Sequence, residues 1–545
     1  MKDVSLKLDF NERADSTPAW LSAFALNSDE LWRYPDRTAL EQQLATDLQL
    51  PPSAVLLTNG GDESIELLYK LCKLTDQSLL VPEPCFSQYT HNQKIWQNDT
   101  IFVPANEDLS IDTQAITAAM KPNQWVILTR PNNPTGEFLE SGRLLELIKA
   151  ASQVGAKVFL DEAYVEFANE GEGIDYAAHQ NLVTLRTFSK AFGLAGARIG
   201  YVFGQPELIA EFRRLAMPFN VSRANLQLAT AAWQARDEVS VYCQRIAENR
   251  TQIAQFLDKN GLQPFPSRGN FLLFQTNPRQ KILFDRVMKK SGIQIKTELA
   301  DLPNAVRLTI PENTTALMNA LQLILDPQLL AFDMDGVLID TTASYDECIR
   351  QTVATLTPQQ VTQQDIEKVR AKGGFNNDWV LCAELIKQTG NAVDFDTVVS
   401  TFQSIYLGTA EQPGLVSQEK NLLLDPMRQR VFKSSTYRTA VVTGRPRAEA
   451  EQGTAQLDIN PNELVSADDV SQQKPDPQGL LQVMRDTAAE RAWYCGDTVD
   501  DMQAGQAAGC VCIGIGAKTT QAKNNLFQAG ADVVLENINQ LETLL

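Results

Sequence analysis

Short apolar runs without a polar–apolar alternation recur along this chain, separated by segments with helical periodicity. In the first half they are AVLLTN, SLLVPEP, WVILTR, KVFLDEAY, LVTLRTFS and RIGYVFG, beginning at residues 54, 78, 125, 157, 182 and 198. A strand without alternation is typical of a mainly parallel sheet that is buried on both faces under helices. The sequence therefore predicts an α/β fold, with its chemistry at the carboxyl ends of the strands.

The α/β pattern occurs twice. A smaller α/β lobe is indicated by NFLLFQT, SGIQIKT and AVRLTI, and TTALMNALQLIL, beginning at residue 314, predicts a closing helix. The runs LAFDMDG, TAVVTG, AWYCGD and CVCIGIG then restart the pattern at residues 330, 439, 492 and 510. No Gly/Ser-rich or Pro-rich linker intervenes, so the junction is only a few residues long.

We therefore predict two domains. Residues 1–326 form the first, with a large part at about 30–260 and a small lobe at 261–326 that includes the N-terminal arm. Residues 327–545 form the second, with a mostly helical insertion at about 341–430.

Composition excludes several classes of function. The net charge of the 545 residues is −19 and the basic residues are scattered, which disfavours a nucleic-acid partner. No apolar run is long enough to span a bilayer, and the start has no signal-peptide core, so we expect a cytoplasmic protein without a membrane partner.

The eight cysteines form no CxxC pair, which favours reduced, buried thiols. With only two histidines, any metal is expected to have oxygen ligands.

Five motifs in the first half carry a family resemblance. RTFSKAFGLAGARIGY begins at residue 186, and RPNNPTG, FLDEAYVEF, TNGGDESIEL and WRYPD begin at 130, 159, 58 and 32. Together they resemble the fold-type I pyridoxal-phosphate (PLP) aminotransferases, and most of all the histidinol-phosphate aminotransferase group, over about residues 5–325. The resemblance implies a large mainly parallel sheet domain, a small α/β lobe and a homodimer.

The resemblance also implies roles for individual residues. Lys190 binds the aldehyde of the cofactor and later moves a proton, and Asp161 keeps the ring nitrogen protonated. The NGGDES stretch before a helical pattern offers backbone N–H groups to the cofactor phosphate. The resemblance implies that Asn133 and Tyr164 contact the ring hydroxyl and that Phe86 stacks on the ring face. The residues implied to contact the phosphate are Gly61, Asp62, Glu63, Thr187, Ser189, Arg198 and, from the neighbouring subunit, Tyr34.

Substrate choice depends on two positions in the small lobe. Arg307 matches the family arginine that binds the carboxylate of the amino acid, or the equivalent acidic group of the other substrate. Lys296 stands where the family usually has a second arginine, and IPEN replaces the usual glycine-containing turn after Arg307. A lysine neutralises a phosphate but does not clamp it bidentately. The resemblance makes histidinol phosphate the leading substrate, and these two departures leave an aromatic or other amino acid open.

The second half carries four further motifs in order. FDMDGVLID, VVTGRP, QKPDP and YCGDTVDDMQAGQAAG resemble the haloacid-dehalogenase superfamily over about residues 328–545, and most of all its phosphoglycolate-phosphatase-like members. The resemblance implies a Rossmann-like domain with a helical cap. The KGGFNNDW segment, from residue 372, is interpreted either as a turn between helices or as a cap loop that closes over the substrate.

The chemistry implied there is phosphate-ester hydrolysis. Asp333 attacks phosphorus to form an aspartyl-phosphate, and Asp335 protonates the leaving alcohol and then activates water. Thr443 and Lys474 hold the phosphoryl oxygens. Mg²⁺ is held by Asp333, the backbone carbonyl of Asp335 and Asp497, with Asp501 in the same acidic cluster.

The leading hypothesis is a bifunctional enzyme with small-molecule substrates: an aminotransferase using glutamate or 2-oxoglutarate, fused to a Mg²⁺-dependent phosphatase, in consecutive steps of histidine biosynthesis. One alternative joins an aromatic or phospho-amino-acid aminotransferase to a phosphatase of small sugar or acid phosphates. Another makes one half a non-catalytic binding or dimerisation module.

Overall fold

The computed structural model of the protein describes residues 5–168, 174–370, 372, 375, 377–409 and 412–545. They form two compact units, each described by itself below. Unit 1 contains Met1–Thr276 and Gly292–Ala316, and unit 2 contains Asn277–Ser291 and Leu317–Leu545. No helix in the described part of the chain is long and apolar enough to cross a bilayer.

Unit 1 is built on the strands β1 Leu6–Leu8, β2 Val55–Thr58, β3 Ser78–Pro82, β4 Thr100–Val103, β5 Gln124–Thr129, β6 Lys157–Asp161, β7 Leu182–Thr187, β8 Gly200–Gly204, β9 Phe271–Gln275, β10 Ile293–Ile295 and β11 Ala305–Thr309. Its helices are α1 Ala19–Ser22, α2 Thr38–Asp47, α3 Gly60–Leu74, α4 Ser87–Trp96, α5 Thr113–Ala119, α6 Ser141–Val154, α7 Pro206–Leu215, α8 Arg223–Gln234 and α9 Arg236–Lys259.

The large sheet of unit 1 has seven strands in the order β2-β8-β7-β6-β5-β3-β4. Only β8 runs antiparallel to its neighbours. Successive residues of β5 enter opposite cores, with Trp125 and Ile127 in one cluster and Val126 and Leu128 in the other. Both faces are therefore buried, which explains why the strand sequences lack polar alternation. Two smaller pairs, β1 with β10 and β9 with β11, complete the unit.

Unit 2 begins with α10 Pro278–Lys290 and the part of α11 Thr315–Leu325 that follows Ala316. Its strands are β12 Leu329–Phe332, β13 Ile339–Asp340, β14 Lys420–Asn421, β15 Arg438–Val442, β16 Glu463–Val465, β17 Ala492–Gly496, β18 Val511–Ile515 and β19 Val533–Leu535. The remaining helices are α12 Tyr345–Leu356, α13 Gln363–Arg370, α14 Asp378–Gln388, α15 Phe395–Leu407, α16 Asp425–Phe432, α17 Arg447–Gln456, α18 Gln478–Asp486, α19 Val499–Ala507 and α20 Thr520–Ala529.

The six-stranded sheet of unit 2 has the order β16-β15-β12-β17-β18-β19 and is parallel throughout. The strands β15, β12 and β17 are neighbours, so the residues that follow them meet at one edge. Helices α12 to α15 share their own apolar core, which includes Ile349, Leu381 and Phe402. We call these four helices the cap.

The α/β fold class is confirmed. Each apolar run named in the sequence contains a strand. Helix α11 forms where a helix was predicted and ends at Leu325, just before β12 begins at Leu329, but most of it belongs to unit 2 and does not close unit 1. The strands β1, β13 and β14 of the two-stranded sheets were not predicted, and neither were three edge strands of the large sheets, β4, β16 and β19. These edge strands are only three or four residues long, and β4 and β16 are partly exposed, so their sequences carry a weak signal.

Candidate active sites

A cavity of about 120 Å³ opens in unit 1 at the carboxyl ends of β5, β6 and β7. Parallel strands place these ends at one edge of the sheet, which brings together residues far apart in sequence. The predicted site residues that line the cavity are Gly61, Asp62, Phe86, Asn133, Asp161, Tyr164, Thr187, Ser189, Lys190 and Arg198. Tyr34, Glu63, Lys296 and Arg307 are not among the lining residues.

Asp161 ends β6 and is buried at the base of this cavity. Its Oδ2 accepts a hydrogen bond of 2.7 Å from the Tyr89 hydroxyl, and its Oδ1 accepts one from the backbone N–H of Ala163 at 3.0 Å. Burial raises the pKa of Asp161 to about 6, although both hydrogen bonds act in the opposite direction. A cationic partner such as a protonated pyridine nitrogen would stabilise the charged carboxylate.

The opposite end of the cavity is suited to a dianion. Helix α3 begins there at Gly60, and the side chain of the preceding Asn59 makes no capping hydrogen bond, so first-turn N–H groups are available to a ligand. Gly60 has φ +75°, and a Cβ on it would lie 2.6 Å from Nη2 of Arg198. Only glycine therefore lets the guanidinium approach the helix start.

Polar side chains complete the phosphate end. Arg198 donates to Asp62 at 2.6 Å and to the Ser189 hydroxyl at 3.5 Å, and the Thr187 hydroxyl donates to Ser189 at 3.0 Å. The Glu63 carboxylate instead accepts hydrogen bonds from the backbone of Asn59 and from the side chain of Asn220, so this carboxylate is engaged away from the cavity lining.

Lys190 extends its ammonium into the cavity. Its Nζ donates to the carbonyl oxygen of Phe10 at 2.9 Å and lies 5.4 Å from the centre of the Tyr164 ring. The Tyr164 hydroxyl accepts hydrogen bonds from Asn133 at 3.5 Å and from Asn11 at 3.3 Å. A base, a carboxylate and an anion cradle thus face one cavity, and this set fits PLP.

Arg307 lies next to the cavity on β11 and is buried. It donates through Nη1 to Asn133 at 2.5 Å and through Nη2 to the carbonyl oxygen of Asp9 at 2.7 Å. Its Nε has no hydrogen-bond partner among the described residues. Lys296 pairs with Arg307 through backbone hydrogen bonds of 2.9 Å, which places the two basic residues on adjacent segments.

Unit 2 gathers its acids at the ends of neighbouring strands. Asp333 follows β12, Thr443 follows β15 and Asp497 follows β17. Lys474 lies between two carboxylates, 2.8 Å from Asp333 and 2.6 Å from Asp501. A cavity of about 180 Å³ lies beside them and is lined by Asp333, Asp335 and Asp497 among others.

The acids form a candidate metal centre. One oxygen each of Asp333, Asp497 and Asp501 lie within 4.8 Å of one another. Lys474 compensates one of their three negative charges, so a divalent cation with oxygen ligands fits the remainder. Gly336 has φ +71°, and a Cβ there would collide with the carboxylate of Asp497. The glycine of the DxDG motif therefore makes room for a ligand carboxylate.

Burial controls the electrostatics of these acids. It raises the pKa of Asp333 to about 7 and that of Asp497 well above its usual range, while Lys474 acts to lower both. Burial also opposes the ionisation of Asp501, but hydrogen bonds from Lys474, Thr498 and Tyr494 hold its pKa below the usual range. A bound cation would favour the ionised form of all three carboxylates.

Asp501 has a structural task as well as its place in the acidic cluster. Its Oδ2 accepts hydrogen bonds from the Thr498 hydroxyl at 2.6 Å and the Thr498 N–H at 3.1 Å, in a capping box that starts α19. Its Oδ1 accepts from Lys474 and from the Tyr494 hydroxyl at 2.8 Å. Asp501 thus orients Lys474 in addition to contributing charge.

The arginine of VVTGRP was not predicted to be part of the site. Arg445 donates to Oδ1 of Asp335 through Nε at 2.9 Å and Nη2 at 2.6 Å. Its Nη2 also donates to Glu419 at 3.0 Å, and its Nη1 to the Tyr406 hydroxyl at 3.4 Å. These contacts fix the orientation of the Asp335 carboxylate. The motif contained the arginine, but Glu419 and Tyr406 had no sequence signal.

The KGGFNNDW segment connects α13 to α14, and Gly373, Gly374 and Asn376 of it lie outside the described residues. Asn377 caps α14 by accepting hydrogen bonds from the N–H groups of Trp379 and Val380. Asn377, Asp378 and Trp379 also line the cavity of unit 2. The segment therefore both links two helices and contributes to the cavity wall.

Comparison with known proteins assigns the family. The model of the family described as aminotransferase class I and II matches residues 5–322, more than half of the chain. The chain belongs to this aminotransferase family. The model described as haloacid dehalogenase-like hydrolase matches residues 330–515, so the protein is a fusion of an aminotransferase with a hydrolase domain. Both halves are enzyme domains, which removes support for a non-catalytic half.

The aminotransferase half has named relatives. A histidinol-phosphate aminotransferase of Chlorobaculum tepidum is 32% identical over 304 residues, covering 54% of this chain and 86% of the relative. One from Methylibium petroleiphilum is 33% identical over 340 residues, covering 59% and 90%. The crystal structure of histidinol-phosphate aminotransferase from Sinorhizobium meliloti in complex with pyridoxal-5'-phosphate has a TM-score of 0.53 at 26% identity, covering 59% of this chain and 90% of that one.

The buried Asp161 gives a pH-dependent prediction for the cofactor-free aminotransferase. Its raised pKa means that the folded state loses stability as pH rises from about 4 to about 6, and the cost then stays constant. Asp161→Asn keeps an acceptor for Tyr89, loses the acceptor for the Ala163 N–H at every pH, and removes the pH-dependent cost. We expect the free energy of unfolding of the variant, relative to that of the wild type, to rise by up to about 3 kcal/mol between pH 4 and pH 8. Urea denaturation of both cofactor-free proteins at the two pH values measures this change; the same difference at both pH values contradicts the raised pKa of Asp161.

Proposed function

We propose that this chain catalyses two consecutive reactions of histidine biosynthesis. The aminotransferase half would form histidinol phosphate from imidazole-acetol phosphate and glutamate, and the hydrolase half would remove its phosphate. The observation that carries the proposal is that Lys190 and Asp161 line one cavity and Asp333 and Asp335 line another, while the relatives of the first half are named for histidinol phosphate. The product of the first reaction is a phosphate ester, the substrate type of the second.

In the aminotransferase half, PLP would supply the aldehyde and the electron-withdrawing ring. Lys190 would hold the cofactor and move a proton between substrate and cofactor carbon atoms, since it lines the cavity that Asp161 also lines. Asp161 would keep the ring nitrogen protonated, oriented by the hydrogen bond from Tyr89. Asn133 and Tyr164 would contact the ring hydroxyl, and Phe86 would stack on the ring.

Arg307 would bind the acidic end of the substrate. Its Nε is buried without a partner among the described residues, and a carboxylate or phosphate would satisfy it. Lys296 on the adjacent segment would add a second positive charge. Because this lysine replaces the usual arginine of the family, an aromatic or phospho-amino acid remains the alternative substrate. Comparing kcat/KM for histidinol phosphate and phenylalanine with 2-oxoglutarate decides between them, and equal or better use of phenylalanine contradicts the proposal.

In the hydrolase half, Asp333 would attack phosphorus, forming an Oδ–P bond as the ester P–O bond breaks. Asp335 would give its proton to the departing alcohol and then take one from the water that hydrolyses the aspartyl-phosphate. Thr443 and Lys474 would hold the phosphoryl oxygens. Mg²⁺ would neutralise the charge on the transferring group. Its ligands would be Asp333, Asp497 and the backbone carbonyl of Asp335, with Asp501 in the same acidic cluster.

An exposed apolar patch in unit 1 supports a homodimer. It consists of Trp32, Tyr34, Met217 and Phe219, of which Trp32 and Tyr34 are 76% and 77% exposed. Tyr34 stacks on Phe219 with a ring-centre distance of 4.4 Å. A contiguous patch of large apolar side chains is typical of an interaction surface. In a dimer, Tyr34 would reach the cofactor phosphate of the neighbouring subunit.

The dimer is tested by a charge placed in this patch. Trp32→Asp buries an uncompensated carboxylate in the interface and should shift the protein from dimer to monomer at micromolar concentration. Leu481→Asp, on an exposed leucine of α18, is the matched control and should remain dimeric. Sedimentation velocity measures both. A monomeric wild type, or a variant that dimerises as well as the wild type, contradicts the proposal.

We also propose a cytoplasmic location. The eight cysteines are free thiols, and seven of them are buried, which suits a reducing compartment. A fluorescent fusion of the full chain observed in its native cell tests this directly, with secretion as the contradicting result.

A further inference from the structure

The hydrolase cavity extends well beyond the phosphate-transfer groups into the cap. Its cap-side wall is made of Asp346 on α12, Arg370 at the end of α13, and Asp378 and Trp379 at the start of α14. None of these residues has a part in the reaction described above. They line the same cavity as Asp333 and Asp335.

Arg370 is held by two acids of this wall. Its Nη1 lies 2.7 Å from Oδ1 of Asp346, and its Nη2 lies 2.8 Å from Oδ1 of Asp378. Both terminal nitrogens of the guanidinium are thus engaged with carboxylates. A carboxylate or second phosphate on a substrate would have to displace one of these ion pairs, so Arg370 offers little to an anion.

Of the two acids, Asp378 retains an oxygen that can accept a further hydrogen bond. Oδ2 of Asp346 accepts a hydrogen bond from Gln363 at 2.7 Å, whereas Oδ2 of Asp378 has no assigned partner among the described residues. Two carboxylates against one guanidinium leave this wall with a negative charge. Asp340, on the same cavity, adds another, and Arg445 is already paired with Asp335 and Glu419. The wall therefore favours a positively charged group.

Trp379, the next residue in the chain, adds an aromatic side chain to the same cavity wall. Its side chain packs partly against the apolar core of the cap and also lines the cavity. The face of an indole attracts ammonium and planar cationic groups. A carboxylate and an indole next to each other are a binding arrangement for a cation.

We infer that the cap side of this cavity selects phosphate monoesters whose leaving alcohol carries a positive charge, with Asp378 as the specificity-determining residue. The inference deepens the proposed phosphatase function and rests on it. Arg370 acts as a positioning residue that holds Asp346 and Asp378 in place. The substrate class is thus a phosphorylated amino alcohol, in preference to a phosphorylated hydroxy acid.

The test compares kcat/KM for two cationic esters, histidinol phosphate and O-phosphoethanolamine, with two uncharged or anionic ones, glycerol 3-phosphate and phosphoglycolate. Full-length wild type with Mg²⁺ should prefer the cationic pair. Asp378→Asn should lower the cationic-to-anionic ratio of kcat/KM by about 10- to 100-fold, mainly through KM, because it removes one charge-assisted contact. Asp378→Glu keeps the charge and should retain most of the preference.

The matched control is Asp396→Asn, which neutralises an exposed acid of the cap on α15. It should leave the ratio unchanged. A wild type that prefers phosphoglycolate overturns the inference, as does an Asp378→Asn variant that loses activity on all four esters in the same proportion. The latter result would indicate a purely structural role.

Failure of the proposed phosphatase function is distinguished by p-nitrophenyl phosphate. If the wild type hydrolyses neither this ester nor the other four, the function itself is wrong. The inference is then tested by calorimetric titration with the alcohols alone. Histidinol should bind more tightly than glycolate, and Asp378→Asn should weaken histidinol binding about 10-fold or more. Equal binding of both alcohols overturns it.

Discussion

Replacement of Lys190 by alanine should abolish transamination and the visible absorbance of bound PLP. The ammonium of Lys190 reaches the cavity that contains Asp161 and the phosphate cradle, and no other lysine lines that cavity among the described residues. Loss of the proton-transferring base and of the covalent attachment should reduce kcat/KM by about 1,000-fold or more. Absorption spectra and amino-group transfer assays on the purified variant measure both effects.

Lys149→Ala is the control for this result. Lys149 is exposed on α6, so its loss should leave absorbance and transamination unchanged. Phosphate release by Lys190→Ala should also equal that of the wild type, since the change is confined to the aminotransferase half. If Lys190→Ala retains the visible band and transamination, the assignment of Lys190 as the residue that holds PLP is wrong.

Replacement of Asp333 by asparagine should abolish Mg²⁺-dependent phosphate release and spare transamination. The side chain keeps its size but no longer offers an anionic oxygen to phosphorus. Removing a nucleophile in this way should lower kcat by at least about 10,000-fold. Release of inorganic phosphate from histidinol phosphate and from p-nitrophenyl phosphate, with and without chelator, provides the measurement.

Asp396→Asn again serves as the control and should retain phosphate release. Substantial activity in Asp333→Asn would show that another group attacks phosphorus. Loss of both activities in the same variant would indicate that the two halves are coupled or that the variant is misfolded, and circular dichroism separates these two causes.

The sequence predicted the positions where reactive residues follow buried strands, and the reason is physical. Asp161, Asp333 and Asp497 lie at or just after the ends of apolar runs, and neighbouring parallel strands bring such ends together. Both cavities could be anticipated from this rule and from the motifs. The assignment of roles to these residues remains a prediction.

Other parts of the sites depend on tertiary contacts. Tyr89 is separated by 72 residues from the Asp161 carboxylate to which it donates, and Arg445 by 110 residues from Asp335. Such pairs have no local periodicity or spacing in the sequence. The wall formed by Arg370 and Asp378 likewise requires two helix ends to meet, which the sequence of the cap alone does not specify.

The most direct test of the central claim is a coupled assay on the full chain. The protein is given imidazole-acetol phosphate, glutamate, PLP and Mg²⁺, and histidinol and inorganic phosphate are followed over time. We expect both products in equal amounts, with histidinol phosphate accumulating in Asp333→Asn and no products in Lys190→Ala. Absence of histidinol with the wild-type protein would contradict the proposal that the two halves catalyse consecutive steps.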